Sequence, residues 1–311
     1  NTNIIIPANK TSKQVYCDVL IAGGGITGSA AFRYFAEAGK KTYLVNYEHG
    51  SSWRNIGGGR PAFSVPEIAE IANQNQAIFK EIQKQTNIHY KPIRYVGLAH
   101  DDKEYKALEA SLAWSEGYMV DKKDFTKEIS PYFNPDIDTY QAALITKNCW
   151  QATPGRVIEF IRNIACQNGG MLLENARLLE VQRTDEGFMA LVYNQNKEFI
   201  EFHCEHFVNA LGSNAGEFAK QLGVDTGFYP VKHQAFITGR LPLLGKDGDA
   251  LDMIIDRRNY KGFSAVYGQQ FAHTGQIIGC ASPATDASEV VKDLRYNSKA
   301  FIEICAEVFR Q

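Results

Sequence analysis

Hydrophobic positions along the chain switch between two periods, and the switches mark the elements. A continuous apolar run, Val19 to Ala22, predicts a buried strand. A helical pattern carrying Ala30, Ala31, Phe35 and Ala36 follows it, and then a short strand over 42–45 after the turn Gly39-Lys-Lys. Ile68, Ile71, Ala77, Ile78 and Ile82 recur at helical spacing over 66–87, with Pro66 suited to the first turn. A strand over 93–99, a helix over 102–117 and a strand over 141–145 come next, with a turn-rich connection over 130–135. A helix over 156–167 bears Val157, Phe160, Ile161, Ile164 and Ala165, and Gly169-Gly170 ends it. Short strands then read over 171–173, 176–183, 188–193 and 198–202, with a hairpin loop at 194–197. A further apolar strand begins at Phe207 and is broken by Gly212, and a helix covers 217–222. Beyond Gly223 the pattern is β-rich (229–238, 253–255, 262–267, 275–279) and closes with an amphipathic helix over 298–309. Strands alternating with helices predict an α/β fold.

The first strand runs into Gly23-x-Gly25-x-x-Gly28 and directly on into its helix. A dinucleotide-binding βαβ unit needs that order. The first glycine permits a sharp turn, the second lets backbone approach a pyrophosphate, and the third lets helix and strand pack closely. The helix N-terminus offers unpaired N–H groups and a positive dipole end. The acid that binds ribose hydroxyls at the end of the second strand is replaced by Asn46, with Glu48 as the fallback. No Arg stands beside Asn46, so nothing argues for a 2′-phosphate.

Ser51 to Pro61 holds Gly57-Gly58-Gly59 between Arg54 and Arg60. Three consecutive glycines predict neither helix nor strand. Two readings stand: a flexible surface loop, or backbone held against a flat ligand with Arg54 or Arg60 supplying charge.

A formal net charge of −2 with no basic stripe argues against a nucleic-acid partner. No apolar run approaches the roughly 18 residues that a transmembrane helix needs. The start lacks a basic n-region, which predicts a cytoplasmic protein. The six cysteines form no CxxC pair and read as free, mostly buried thiols. His203-Cys-Glu-His206 resembles a metal cluster, but on a strand the two imidazoles point to opposite faces, so no metal is expected.

Taken together, these segments resemble the FAD-dependent amine and amino-acid oxidoreductases of the D-amino-acid oxidase type, a group that includes glycine oxidase, sarcosine oxidase and D-amino-acid dehydrogenases. Four segments carry the resemblance: Gly23-x-Gly25-x-x-Gly28; Ser52-x-Arg54-Asn55-x-Gly57-Gly58; Gly169-Gly170 leading to 175–181; and 208–212 followed by Pro230-Val-Lys-His-Gln234. It spans about residues 16–280.

The resemblance implies a Rossmann-like FAD-binding domain over 15–60 and 150–228, interleaved with a substrate domain built on an antiparallel sheet over 61–149 and 229–311. It implies that Gly23, Gly25, Ile26, Thr27 and Gly28 cradle the pyrophosphate and that Asn46 and Tyr47 stand at the ribose. Leu178 offers backbone to the adenine. Ala210, Leu211 and Gly212 line the cofactor, and Arg54, Asn55, Gly57 and Gly58 approach the flavin. The implied reaction is hydride transfer from a small amine or amino acid to FAD, with Arg258, Tyr260 and His233 as catalytic candidates and Arg257 beside them. An electron-accepting partner or a homo-oligomer is compatible with it. Departures from the family pattern are Asn46, Asn214 in place of a frequent tryptophan, and His233 in place of a frequent glycine. The glycine-rich segment with which the family closes over the flavin is not found. An NAD-dependent dehydrogenase, or a non-catalytic or electron-transferring subunit, is the alternative.

Overall fold

A computed structural model describes residues 13–134, 138–259, 262–283 and 298–310. Along the chain run β1 (Lys13–Ala22), α1 (Ile26–Glu37), β2 (Thr42–Asn46), β3 (Gly58–Gly59), α2 (Pro66–Gln85), β4 (Lys91–Ala99), α3 (Asp102–Ala110), β5 (Gly117–Asp121), α4 (Phe125–Glu128) and β6 (Ala142–Gln151). Then come α5 (Pro154–Gln167), β7 (Met171–Glu174), β8 (Arg177–Thr184), β9 (Gly187–Tyr193), β10 (Phe199–Asn209) and α6 (Ala215–Gln221). The last are β11 (Gln234–Arg240), β12 (Met253–Asp256), β13 (Phe263–Gln270), β14 (Gln276–Pro283) and α7 (Lys299–Arg310).

Four expectations need correction. The glycine triplet does contain a strand, the two-residue β3, which pairs antiparallel with Trp150 and Gln151. The helix expected over 102–117 stops at Ala110, because the Ser111 hydroxyl bonds back to the Leu108 carbonyl at 2.6 Å and the chain tightens into a 3₁₀ turn. The strands expected over 198–202 and from Phe207 are one strand, β10. The strand expected from Tyr229 starts only at Gln234, downstream of Pro230, which has no N–H for a ladder.

The chain forms two compact units: Asn1–Arg54 with Ile158–Pro230, and Asn55–Val157 with Val231–Gln311. The first holds a six-stranded sheet in the order β7-β2-β1-β10-β9-β8. Its first four strands are parallel, and β9 pairs antiparallel with both β10 and β8. The reason for the unbroken apolar run in β1 is now visible. Val19 and Ile21 pack with Phe32, Ala36, Leu44 and Ala165 in one core. Leu20 and Ala22 pack with Val45, Leu178, Val181 and Phe202 in the other. Each Val, Leu, Ile or Phe among them contributes about 1.5–3 kcal/mol on full burial. The parallel strands bring Ala22, Asn46, Glu174 and Asn209 to one sheet edge, the carboxyl edge where open α/β sheets bind ligands.

The second unit holds an eight-stranded sheet, β11-β14-β13-β12-β4-β6-β3 with β5 beside β6. It is antiparallel except for the β12–β4 pair. α7 seats Phe301, Ile304 and Cys305 on Val266 and Ala281.

Candidate functional site

In the first unit the glycine turn is built from collisions that only glycine avoids. Gly23 has φ +103°, and a Cβ there would meet the Ala210 carbonyl. A Cβ on Gly28 would meet the Gly23 carbonyl, which fixes how closely α1 crosses β1. Gly25 differs: a Cβ would lie 3.0 Å from Ser52 Oγ, with no backbone in the way. Gly25 caps α1 without a side-chain bond, and no acid stands in the first turn. The exposed end of the 12-residue helix therefore keeps its positive field. Ile26 N–H donates to Ser52 Oγ at 3.1 Å, and Thr27 is exposed.

Behind the turn lies a network that the sequence pattern does not announce. Gly24 N–H donates to Asn46 Oδ1 at 3.1 Å, and Asn46 Nδ2 donates to Glu174 Oε2 at 2.7 Å. Arg162, on α5, donates to Ser29 Oγ at 3.0 Å, to Glu174 and to the Gly24 carbonyl. Burial pulls the Arg162 guanidinium below its usual pKa, and Glu174 works against that shift. Arg162 also lies over the Trp53 ring, 5.6 Å from its centroid, and Trp53 stacks on His49 at 3.9 Å. The buried Trp53 indole N–H has no hydrogen-bond partner.

Ala210 and Leu211 pack against Gly23, and Ala210 N–H donates to the Ala22 carbonyl at 2.8 Å. Gly212 follows at φ +57° with open space around it. Leu178 is buried on β8, where the register with β9 slips between Leu178 and Glu180. Tyr47 is exposed and faces Arg177 through its ring, 5.6 Å from the guanidinium carbon. Arg54 is exposed and donates to the Gly50 carbonyl at 3.3 Å.

The second unit holds the rest of the expected residues. Asn55 Oδ1 accepts from Gly57 N–H at 2.7 Å, a side chain closing its own turn. A Cβ on Gly57 would meet the Ala152 carbonyl, one on Gly58 the Tyr95 hydroxyl, and one on Gly59 the Trp150 ring. The triplet is thus pinned by packing, which replaces the reading of a flexible surface loop. Beneath it, Gln269 Nε2 donates to the Ile56 carbonyl at 2.7 Å, while its buried Oε1 has no partner.

Arg258 does not offer a free fork. Nε and Nη2 both grip Asp256, at 3.0 and 2.6 Å, and Nη2 reaches Tyr140 Oη at 3.3 Å. Asp256 is also held by His100 Nε2 at 3.0 Å. Burial raises the Asp256 pKa, but the His100 and Arg258 bonds outweigh it and hold the carboxyl well below the usual range. The carboxylate that Arg258 holds in this structure is the protein's own. His233 is exposed on the segment before β11. Tyr260 lies outside the described residues. No group of three or more metal-ligating side chains occurs among the described residues; His203 bonds Glu201 at 2.8 Å and stacks on Tyr16. All six cysteines are free, and only Cys166 is exposed. No helix among the described residues is long and apolar enough to cross a membrane.

Sequence reasoning missed Ser29, Trp53, Arg162 and Glu174. One signal was present. Arg162 falls four residues after Ile158 and three before Ala165, on the buried stripe of α5, where a charge needs a partner.

Residues 18–307 match the family of FAD dependent oxidoreductases, DAO. The chain belongs to that family. It is an FAD-dependent oxidoreductase, and its cofactor is FAD rather than NAD. No curated protein matches it by sequence. Among solved structures it resembles L-proline dehydrogenase from P. horikoshii at 21% identity, covering 94% of this chain and 75% of that one, with a TM-score of 0.76. Glycine oxidase from Geobacillus kaustophilus is similar at 17% identity, with 94% and 77% covered and a TM-score of 0.77. L-α-Glycerophosphate oxidase from Mycoplasma pneumoniae, with FAD bound, is similar at 18% identity, with 95% and 78% covered and a TM-score of 0.74. At these identities the likeness is one of fold. The first unit fits FAD on its own geometry: a Gly25 turn with no backbone in the way of a close approach, a helix start with no acid in its first turn, and an orphaned indole donor.

Proposed function

We propose that this FAD-dependent oxidoreductase oxidises the C–N bond of a small amine or amino acid. The first unit would hold the cofactor: Gly23, Gly25, Ile26, Thr27 and Gly28 at the pyrophosphate, Ala210, Leu211 and Gly212 alongside, and Leu178 at the adenine. The flavin-facing role expected of Arg54, Asn55, Gly57 and Gly58 is part of the same proposal. Bound FAD supplies a hydride acceptor. The observation that carries the amine half is the resemblance to L-proline dehydrogenase, glycine oxidase and iminodiacetate oxidase.

In the second unit, burial holds the Arg257 guanidinium below its usual pKa, the Arg60 charge adds to that shift and Glu104 works against it. With Arg258 committed to Asp256, Arg60 and Arg257 are the cations we assign to a substrate carboxylate. An anion between them would relieve their repulsion, and guanidinium groups suit it bidentately. The amine would lose hydride from its α-carbon and a proton from nitrogen, and water would hydrolyse the resulting imine. A second reading has the same support from the cation pair: a phosphate ester alcohol, as in the similar glycerophosphate oxidase.

The test is an absorption spectrum of the purified protein under anaerobic conditions. Separate additions of D-amino acids, glycine, sarcosine, proline and glycerol 3-phosphate are followed at the flavin band. Bleaching by an amine is the expected result. Bleaching by glycerol 3-phosphate alone would overturn the amine half.

A further inference from the structure

Ribose hydroxyls are hydrogen-bond donors, and dinucleotide folds usually meet them with a carboxylate at the end of the second parallel strand. Here that place is held by Asn46, and both halves of its amide are engaged inside the protein. Oδ1 accepts from Gly24 N–H and Nδ2 donates to Glu174. Asn46 itself is only 5% exposed. The residue paired with it across the strands is Glu174, the last residue of β7. We propose that Glu174 is the carboxylate that accepts from the ribose hydroxyls of the adenosine half of FAD. Asn46 positions it by linking it to the glycine turn.

This rests on the reading that the first unit's glycine turn holds FAD. Three observations support the substitution. First, Glu174 is held from within by two donors, Arg162 on Oε1 and Asn46 on Oε2. A carboxylate offers about four acceptor positions, so about two remain. Second, the Glu174 side chain is 39% exposed while its partner Arg162 is 5% exposed, so the pair shows its acceptor side outward. Third, Arg162 is itself anchored on Ser29 and on the Gly24 carbonyl. The carboxylate is therefore held in place before any ligand arrives, which lowers the ordering cost of binding. Glu48, the nearer acid in sequence, is exposed on the loop after β2.

The experiment titrates apo-protein with FAD and with its 2′-deoxyadenosine analogue, following quenching of flavin fluorescence. Wild type is expected to bind FAD about tenfold more tightly than the analogue, the scale of one charge-assisted hydrogen bond. Glu174→Gln should bind the two alike, while Glu48→Gln keeps the preference. Adding Arg162→Met to Glu174→Gln removes the stranded buried cation, and the same equal binding is expected if the single variant folds poorly. Loss of preference in Glu48→Gln with retention in Glu174→Gln would overturn the proposal, as would equal binding of the two ligands by wild type. Wild type that binds neither ligand would overturn the FAD reading of this turn itself.

Discussion

In the first unit Arg162 keeps 5% of its side chain exposed and Glu174 39%; in the second, Asp256 keeps 4% and Arg258 19%. Both are arginine–carboxylate pairs, yet they face opposite ways. Asp256 is sunk, and Arg258, His100 and Tyr140 all bond to it. Glu174 is turned out, and two donors hold it from behind. A sunk carboxylate is a structural tie. An outward one with acceptors to spare is a binding group. The two glycine-rich segments repeat the contrast. Gly59 makes room for the protein's own Trp150 ring, whereas the space at Gly25 ends only on Ser52.

Removing the sunk carboxylate should have the largest effect. Asp256→Ala leaves the largely buried Arg258 guanidinium without its carboxylate and is expected to cost about 3–5 kcal/mol in urea unfolding. A loss under about 1 kcal/mol would mean that Arg258 is not structurally committed. The same carboxylate gives a pH signature. Its native pKa is depressed, so the stability it adds is present above its unfolded value of about 3.9 and is lost as pH falls below that. The acid limb of a thermal-melt series should therefore be flatter in Asp256→Asn than in wild type. Parallel limbs would contradict the assignment.

The glycine contrast gives the next largest effect. Gly59→Ala would press on the Trp150 ring and should cost about 1–3 kcal/mol of stability. Gly25→Ala has ordinary backbone, φ −70°, and only Ser52 to displace. Its melting temperature should stay near wild type while FAD affinity, read by equilibrium dialysis, falls at least about tenfold. The reverse pattern would mean that the ligand-facing and protein-facing glycines have been exchanged.

The β1–α1–β2 unit was legible because its signals are local: an apolar run, glycines at fixed offsets, and a helix that starts on them. The Arg162–Glu174–Asn46 network was not legible, because it joins residues 12 and 128 apart in sequence. Only the sheet order brings Asn46 and Glu174 side by side. Arg258 misled for the opposite reason. Its partner lies two residues away, too close for strand alternation alone to decide between a turn residue and a ligand. The Gly57–Gly59 triplet was visible as a demand for close approach, but the Trp150 ring that approaches Gly59 is set by pairing with a strand some ninety residues on.

The most direct test of the contrast compares FAD dissociation constants of Glu174→Gln and Asp256→Asn, each measured on folded apo-protein by fluorescence titration. Glu174→Gln should bind FAD about tenfold more weakly than wild type, the loss of one charge-assisted bond. Asp256→Asn should bind it as wild type does, whatever its stability. Equal affinities in all three proteins, or a loss confined to Asp256→Asn, would contradict the account.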